Sequence, residues 1–279
     1  MSMLVARIQQ FLTDHRWPAW GNVAIFWVGF AVLLGLTAPV SSAFPGPWQG
    51  AFLGTLVSGG TVLLTLVILR KTHWNLKDIG LAFRRDSVSR FLLGMGGGLV
   101  LIVLHFAILW LLGGEVSLER VPEVRLTALA VAVCSFIPLA AMEELGFRGY
   151  PLRRLEASYG LWVAQTVVAL AFAVYHVVGG FPWVTALLGT GMGSLLFGMA
   201  AIATRGLAVP IGLHAAWNIG GWSLGEKQFP GLWKIVIEES SRSSAEMAGM
   251  IGYFGVLGLA TLGFWLLHRR QLRKRTSMR

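Results

Sequence analysis

Residues 126–150 read LTALAVAVCSFIPLAAMEELGFRGY. From Leu126 to Met142 there is no charged side chain, and then Glu143, Glu144 and Arg148 follow within six residues. A stretch of about 20 apolar residues is what a helix needs to cross a bilayer. Charged groups inside such a helix cost about 2.5–3.5 kcal/mol each even on lenient insertion scales, so their default reading is functional. This stretch sets two expectations: an all-α membrane protein, and a site in its fourth helix.

The rest of the chain agrees with the first. Of 279 residues, 55% are hydrophobic and 13% charged, with 12 Trp, 16 Phe and 35 Gly. A soluble domain carries about 25% charged residues, so both a soluble and a disordered protein are excluded. Long apolar segments fall at about 20–39, 50–69, 91–112, 126–147, 161–178, 184–203, 207–223 and 247–267. They are apolar all round rather than alternating, which argues for helices and against a β-barrel. About eight spans are expected, with the fifth and seventh the shortest. The domain reading is an amphipathic N-terminal segment over 1–19, a transmembrane helical domain over 20–267 and a basic tail over 268–279.

Charge sets the orientation. With the N-terminus inside and sides alternating, 18 of the 23 basic residues fall inside, leaving Arg120, Arg125, Lys227, Lys234 and Arg242 outside. That is the positive-inside pattern, and it places both termini in the cytoplasm. The net charge of +10 then reports contact with anionic lipid headgroups, not nucleic acid. Glu115, Glu119, Glu123, Glu238 and Glu239 form a solvated outer rim. Trp17, Trp20, Trp48, Trp74 and Trp222 lie near span ends, where indoles anchor at the interface. Glycine clusters at 94–98 and 189–193 permit close helix packing. Cys134, the single cysteine, reads as a small membrane-helix residue, with no disulfide framework or thiolate cluster. Brevity and the lack of sorting signals favour a bacterial plasma membrane.

The polar groups within spans are few: Glu143, Glu144, Arg148, His176, His214 and Asn218. Taking Arg153, Leu161 and Arg205 as cytoplasmic edges, the 1.5 Å rise per residue puts Glu143 roughly 15 Å deep, His176 roughly 22 Å, His214 roughly 13 Å and Asn218 roughly 20 Å. That places them in one layer on the fourth, fifth and seventh spans, with the fourth helix running past Arg148. Glu144 and Arg148, four apart with the Glu first, suit an ion pair on one helical face. Glu143 points about 100° away and lacks that partner, which suits a general base or acid. His214 and Asn218, also four apart, present two hydrogen-bond donors to a developing oxyanion. His176 is placed to share a water with Glu143. A packing pair is the bland alternative for Glu144 and Arg148, and a helix-to-helix hydrogen bond is the reading for His105.

These residues resemble a known family. Glu143-Glu144-Leu-Gly-Phe-Arg148 matches the EExxxR signature of the CAAX protease and bacteriocin-processing family. Phe172-Ala-Val-Tyr-His176 matches its FxxxH motif, and His214-Ala-Ala-Trp-Asn218 its HxxxN motif. All three stand in the family's order, within a core of about 125–225. The resemblance implies an all-helical intramembrane endopeptidase of the type II CAAX prenyl endopeptidase and Abi kind. In that family the positions of Glu143 and His176 activate the hydrolytic water, those of His214 and Asn218 stabilise the oxyanion, and those of Glu144 and Arg148 support the site.

The expected function is therefore hydrolysis of peptide bonds in membrane-associated peptides or proteins, lipidated or not, of CAAX or leader and bacteriocin type. The favoured chemistry needs no cofactor, and the cavity is expected to open to the cytoplasm. Three alternatives stand beside it. Zinc bound by Glu143, Glu144, His176 and His214 would give a metal-dependent version of the same protease, although the chain has no HExxH. A non-enzymatic immunity or scaffold protein would use the cluster structurally. A proton-coupled transporter is disfavoured by the lack of internal repeats. The motifs carry no information on the substrate's sequence or on oligomeric state.

Overall fold

The computed structural model describes residues 19–70, 72–227 and 230–277, so the amphipathic segment expected over 1–19, with Trp17, lies outside the described residues save for Ala19. Nine helices follow in order among the described residues: α1 Ala19–Ser41, α2 Gly46–Leu69, α3 Ser87–Leu112, α4 Thr127–Arg148, α5 Tyr150–Tyr159, α6 Leu161–Val178, α7 Gly191–Thr204, α8 Ala208–Ser223 and α9 Arg242–Thr276. A π-helical turn, Thr185–Thr190, leads into α7. Seven helical segments are long and apolar enough to cross a membrane. The expected seventh span is α8, whose 16 residues reach only about 24 Å, so it is not among those seven. The protein is all-α and polytopic, and α9 continues as helix through most of the basic segment after 267.

Two short strands were not foreseen. β1, Val116–Arg120, pairs antiparallel with β2, Trp233–Ile237. The pair joins the α3–α4 connection to the α8–α9 connection at one end of the bundle. The α2–α3 and α7–α8 connections meet at the other end, where Leu207 N–H donates to Gly80 O at 3.2 Å and Arg90 Nη1 to Thr204 O at 2.9 Å. Alternation between these ends places the start of α1 and the end of α9 on the basic side. The expected acidic rim is exposed at the sheet end.

Three local expectations are corrected. The fourth helix does not run past Arg148: Gly149 (φ −71°, ψ −117°) breaks it, and the amphipathic α5 begins at Tyr150 with Pro151 in its first turn, where a missing N–H costs nothing. Trp222 is not an interface anchor but is 3% exposed, with Nε1–H donating to Pro230 O at 3.1 Å. The second glycine cluster is a packing position only in part: Gly189 lies in the π-helical turn, where a side chain would meet nothing within 4 Å, whereas Gly193 of α7 is buried with Tyr253 Oη of α9 3.7 Å from where a Cβ would stand. The first cluster behaves as expected. A Cβ at Gly94 or Gly98 would strike the backbone of α8, so these glycines let α3 lie directly against the helix that carries His214 and Asn218.

Candidate active site

α4 ends among aromatic rings. Its apolar residues bury Phe136, Met142, Leu145 and Phe147 against α1, α2, α6 and α8, and this fixes the rotation that turns Glu144 and Arg148 inward. Both side chains are 0% exposed, and Arg148 Nη1 donates to Glu144 Oε1 at 3.1 Å. The guanidinium lies 4.2 Å from the Phe172 ring centroid, 5.6 Å from Phe197 and 5.9 Å from Phe147. Its Nε and Nη2 find no hydrogen-bond partner among the described residues, so the ring faces take the place of polar neighbours. Cation–π contacts are worth about 2 kcal/mol when desolvated, and a flat, weakly hydrated guanidinium suits this cage better than an ammonium.

His214 of α8 enters from the other side. Its Nδ1 lies 2.9 Å from Glu144 Oε1 and its Nε2 3.5 Å from Glu143 Oε2. An acceptor-only carboxylate requires a proton on Nδ1 for the shorter contact, whereas 3.5 Å leaves the Nε2 side loosely engaged. The ring stacks on Phe197 of α7, centroids 4.4 Å apart and planes 13° off parallel. Glu143 is thus not without a partner, as its spacing suggested: His214 bridges the two carboxylates. A bridge between neighbouring residues of one helix and a side chain of another has no periodicity in the sequence to announce it.

His176 stands on the last turn of α6. Its Nδ1 lies 2.9 Å from Phe172 O, and because a carbonyl only accepts, Nδ1 carries the proton and Nε2 is left for the site. The imidazole is in electrostatic reach of Glu143, His214 and Arg148. Tyr175, beside it in the same motif, faces Glu143. Glu143 itself is 14% exposed, the most open of the carboxylates and histidine that meet here. Measured along α4 and α8, Glu143 and His214 lie within about 9 Å of the helix ends at the basic side, while α6 projects further past that side.

Asn218 faces a different neighbour. Lys227 Nζ donates to its Oδ1 at 2.9 Å, and Lys227 is also in electrostatic reach of Glu143. Four of the six expected residues, Glu143, Glu144, Arg148 and His214, therefore meet directly; His176 is in electrostatic reach of them, and Asn218 is bonded to a lysine read from sequence only as an outside charge. Tyr175 and Phe197 were also missed, having no signal beyond apolar position.

Zinc is not favoured by this donor arrangement. Among the described residues no three His, Cys, Asp or Glu side chains converge as metal ligands. Glu144 Oε1 already accepts from both Arg148 and His214, and His214 presents its ring edge to carboxylates on both sides.

A buried carboxylate–histidine cluster inside a polytopic helical bundle holds the groups that acid–base chemistry uses. Residues 124–220 match the family model Rce1-like, described as type II CAAX prenyl endopeptidase Rce1-like. The chain therefore carries a domain of that family over this segment, which contains every residue of the three motifs. The description of that family model is of an endopeptidase of the CAAX type, and the match leaves α1–α3 and α9 outside it. No curated protein matches the chain.

Proposed function

We propose that the chain hydrolyses a peptide bond near the C-terminus of membrane-associated substrates, using a water activated by Glu143 and His176. The observation that carries this reading is the division of labour between adjacent carboxylates. Glu144 is wholly buried and its Oε1 is held by Arg148 and His214, while Glu143 is 14% exposed and meets His214 only at 3.5 Å.

The steps balance as follows. A water between Glu143 and the free Nε2 of His176 gives one proton to the Glu143 carboxylate as its oxygen attacks the scissile carbonyl carbon. The carbonyl π electrons move to oxygen, where the oxyanion is met by the Nδ2–H of Asn218 and by His214 as an imidazolium between the two carboxylates, its Nδ1–H kept on Glu144 and its Nε2–H turned to the oxyanion; such donors typically contribute about 10²–10³ in rate. Glu143 returns the proton to the leaving nitrogen, the C–N bond breaks, and a carboxyl and an amine terminus result. Arg148 pairs with Glu144, and Glu144 keeps the His214 ring oriented. No covalent intermediate is needed and no step passes through a metal. The basic end of the bundle faces the cytoplasm of a bacterial cell on this reading, and water and peptide enter from there.

The test compares protein termini in the source cell, wild type against Glu143→Ala at matched expression. It is paired with cleavage by purified protein of a quenched peptide bearing a prenylated CAAX sequence. Termini or cleavage present only with wild type support the proposal. Identical termini together with an uncleaved peptide would overturn it in favour of an immunity or scaffold role.

A further inference from the structure

The loop that follows α8 is built to deliver one side chain. α8 closes in a Schellman motif: Gly225 N–H bonds to Trp222 O at 3.0 Å and Glu226 N–H to Gly221 O at 2.8 Å, the 5→2 and 6→1 pattern that satisfies the last carbonyls of a helix. The motif needs a left-handed residue after the cap, and Gly225 supplies it at φ +80°. Gly221 on the last turn leaves the space that Glu226 and Lys227 occupy, since a Cβ there would lie 3.0 Å from Glu226 Oε2 and 3.6 Å from Lys227 Cε. The chain thus folds back along its own helix, and Lys227 reaches Asn218, nine residues earlier.

The loop is also held from the far side. Glu226 Oε1 lies 3.6 Å from His105 Nε2 of α3. His105 is 7% exposed and sits between Trp217 of α8 and Tyr253 of α9, ring centroids 5.7 and 6.0 Å away. Tyr253 in turn donates to Gly189 O at 2.7 Å. His105, read from sequence as a helix-to-helix bond, instead turns its Nε2 toward the loop carboxylate, and its Nδ1 finds no hydrogen-bond partner among the described residues.

An ammonium has three donors and no acceptor, so Lys227 engages only the oxygen of the Asn218 carboxamide, and the amide nitrogen must point the other way. Resting on the hydrolase reading above, we propose that Lys227 is a positioning residue. It fixes the Asn218 carboxamide with its N–H groups toward the reacting carbonyl, and its positive charge polarises those N–H groups as the oxyanion forms. A half-buried lysine costs desolvation that a neutral residue would not, and membrane proteins retain such groups where function uses them. Without it the carboxamide is free to rotate and offer its oxygen to an oxyanion, which repels.

The test uses the full chain in detergent, the quenched prenylated CAAX peptide, and the variants Lys227→Met, Lys227→Arg, Asn218→Ala and the Lys227→Met/Asn218→Ala double. The expected result is that Lys227→Met lowers kcat about ten- to hundredfold with KM unchanged and the melting midpoint not lowered, and that Lys227→Arg restores most of the lost kcat. In the Asn218→Ala background Lys227→Met should add less than about twofold, because residues acting through one contact are not additive. Wild-type kcat in Lys227→Met, a loss confined to KM or to melting, or full additivity with Asn218→Ala would each overturn the proposal. Glu143→Ala separates the two levels. If it cleaves like wild type, or if wild type does not cleave, the hydrolase reading has failed and this role falls with it. If it is dead while Lys227→Met is fully active, only the role of Lys227 is lost.

Discussion

Near the start of α8, Glu144 and Arg148 meet His214 with no exposure to solvent and three aromatic rings around the guanidinium. One turn further on, Asn218 meets a half-buried lysine carried by a loop whose other charge, Glu226, is 27% exposed. The first cluster is a packed object, in which removing Glu144 or Arg148 leaves the other as a buried charge without its ion-pair partner. The second is an adjustable one, held by a single helix cap and one long contact to His105. Burial thus divides the polar groups into those that hold the bundle together and those free to respond to a reacting carbonyl.

That division can be broken most directly at Glu143. Glu143→Gln should lower cleavage of the quenched peptide by at least about 10³ with a melting midpoint near wild type; a large stability loss with retained turnover would place Glu143 in the packed cluster instead. Next in size is the buried pair. Glu144→Ala or Arg148→Ala should destabilise by about 3–5 kcal/mol, the usual result of orphaning one partner, and lower the yield of folded protein. Arg148→Lys should recover little of it, since an ammonium cannot lie flat against Phe172. Glu226→Gln should cost only a few-fold in kcat and leave melting within error, because its contact with His105 is long and partly exposed; a loss as large as that of Arg148→Ala would erase the distinction between clusters. Chelator treatment followed by zinc addition should leave turnover unchanged; loss on chelation and recovery with zinc would restore the metal-dependent alternative.

The finest test uses pH. Burial lowers the Lys227 ammonium from its ordinary 10.5, opposed by Glu226 of its own loop and Glu143 of α4. The folded protein therefore releases this proton at a lower pH than the unfolded chain does. Between the two values the unfolded state binds more protons, so this residue's contribution to stability rises with pH, while the charge that steadies Asn218 is lost. Activity and stability should move in opposite directions on the alkaline side, and Lys227→Arg should extend the active range upward. Parallel loss of both would mean that another group governs that limb.

The packed cluster was also the legible one. An i, i+4 pair such as Glu144 and Arg148, or His214 and Asn218, is local information, and long apolar segments announce membrane helices without help from tertiary structure. What escaped depends on chain reversals. Lys227 reaches Asn218 only because Gly225 takes a left-handed backbone, and counting it as an outside charge hid its direction. Gly149 ended a helix that composition alone would continue. His214 spans Glu143 and Glu144 because Gly94 and Gly98 let α8 sit close to α3, a three-body arrangement with no one-dimensional trace. β1 and β2 are five residues each and more than a hundred positions apart, so neither is long enough to stand out.

Those strands flank the family segment on either side. Arg120 pairs with Trp233 in the register, Arg120 Nη1 donates to Leu232 O at 2.6 Å, and Val121 N–H to the same oxygen at 3.1 Å, so the chain entering the segment before 124 is fastened to the chain leaving it after 220. A unit whose two ends meet at one point of the surface has the geometry that tolerates transplantation. Here the segment's helices also pack closely on their surroundings, Phe147 on Phe30 of α1 and α8 on Gly94 and Gly98 of α3, so the β1–β2 seam fixes where the segment enters and leaves the bundle without making it separable.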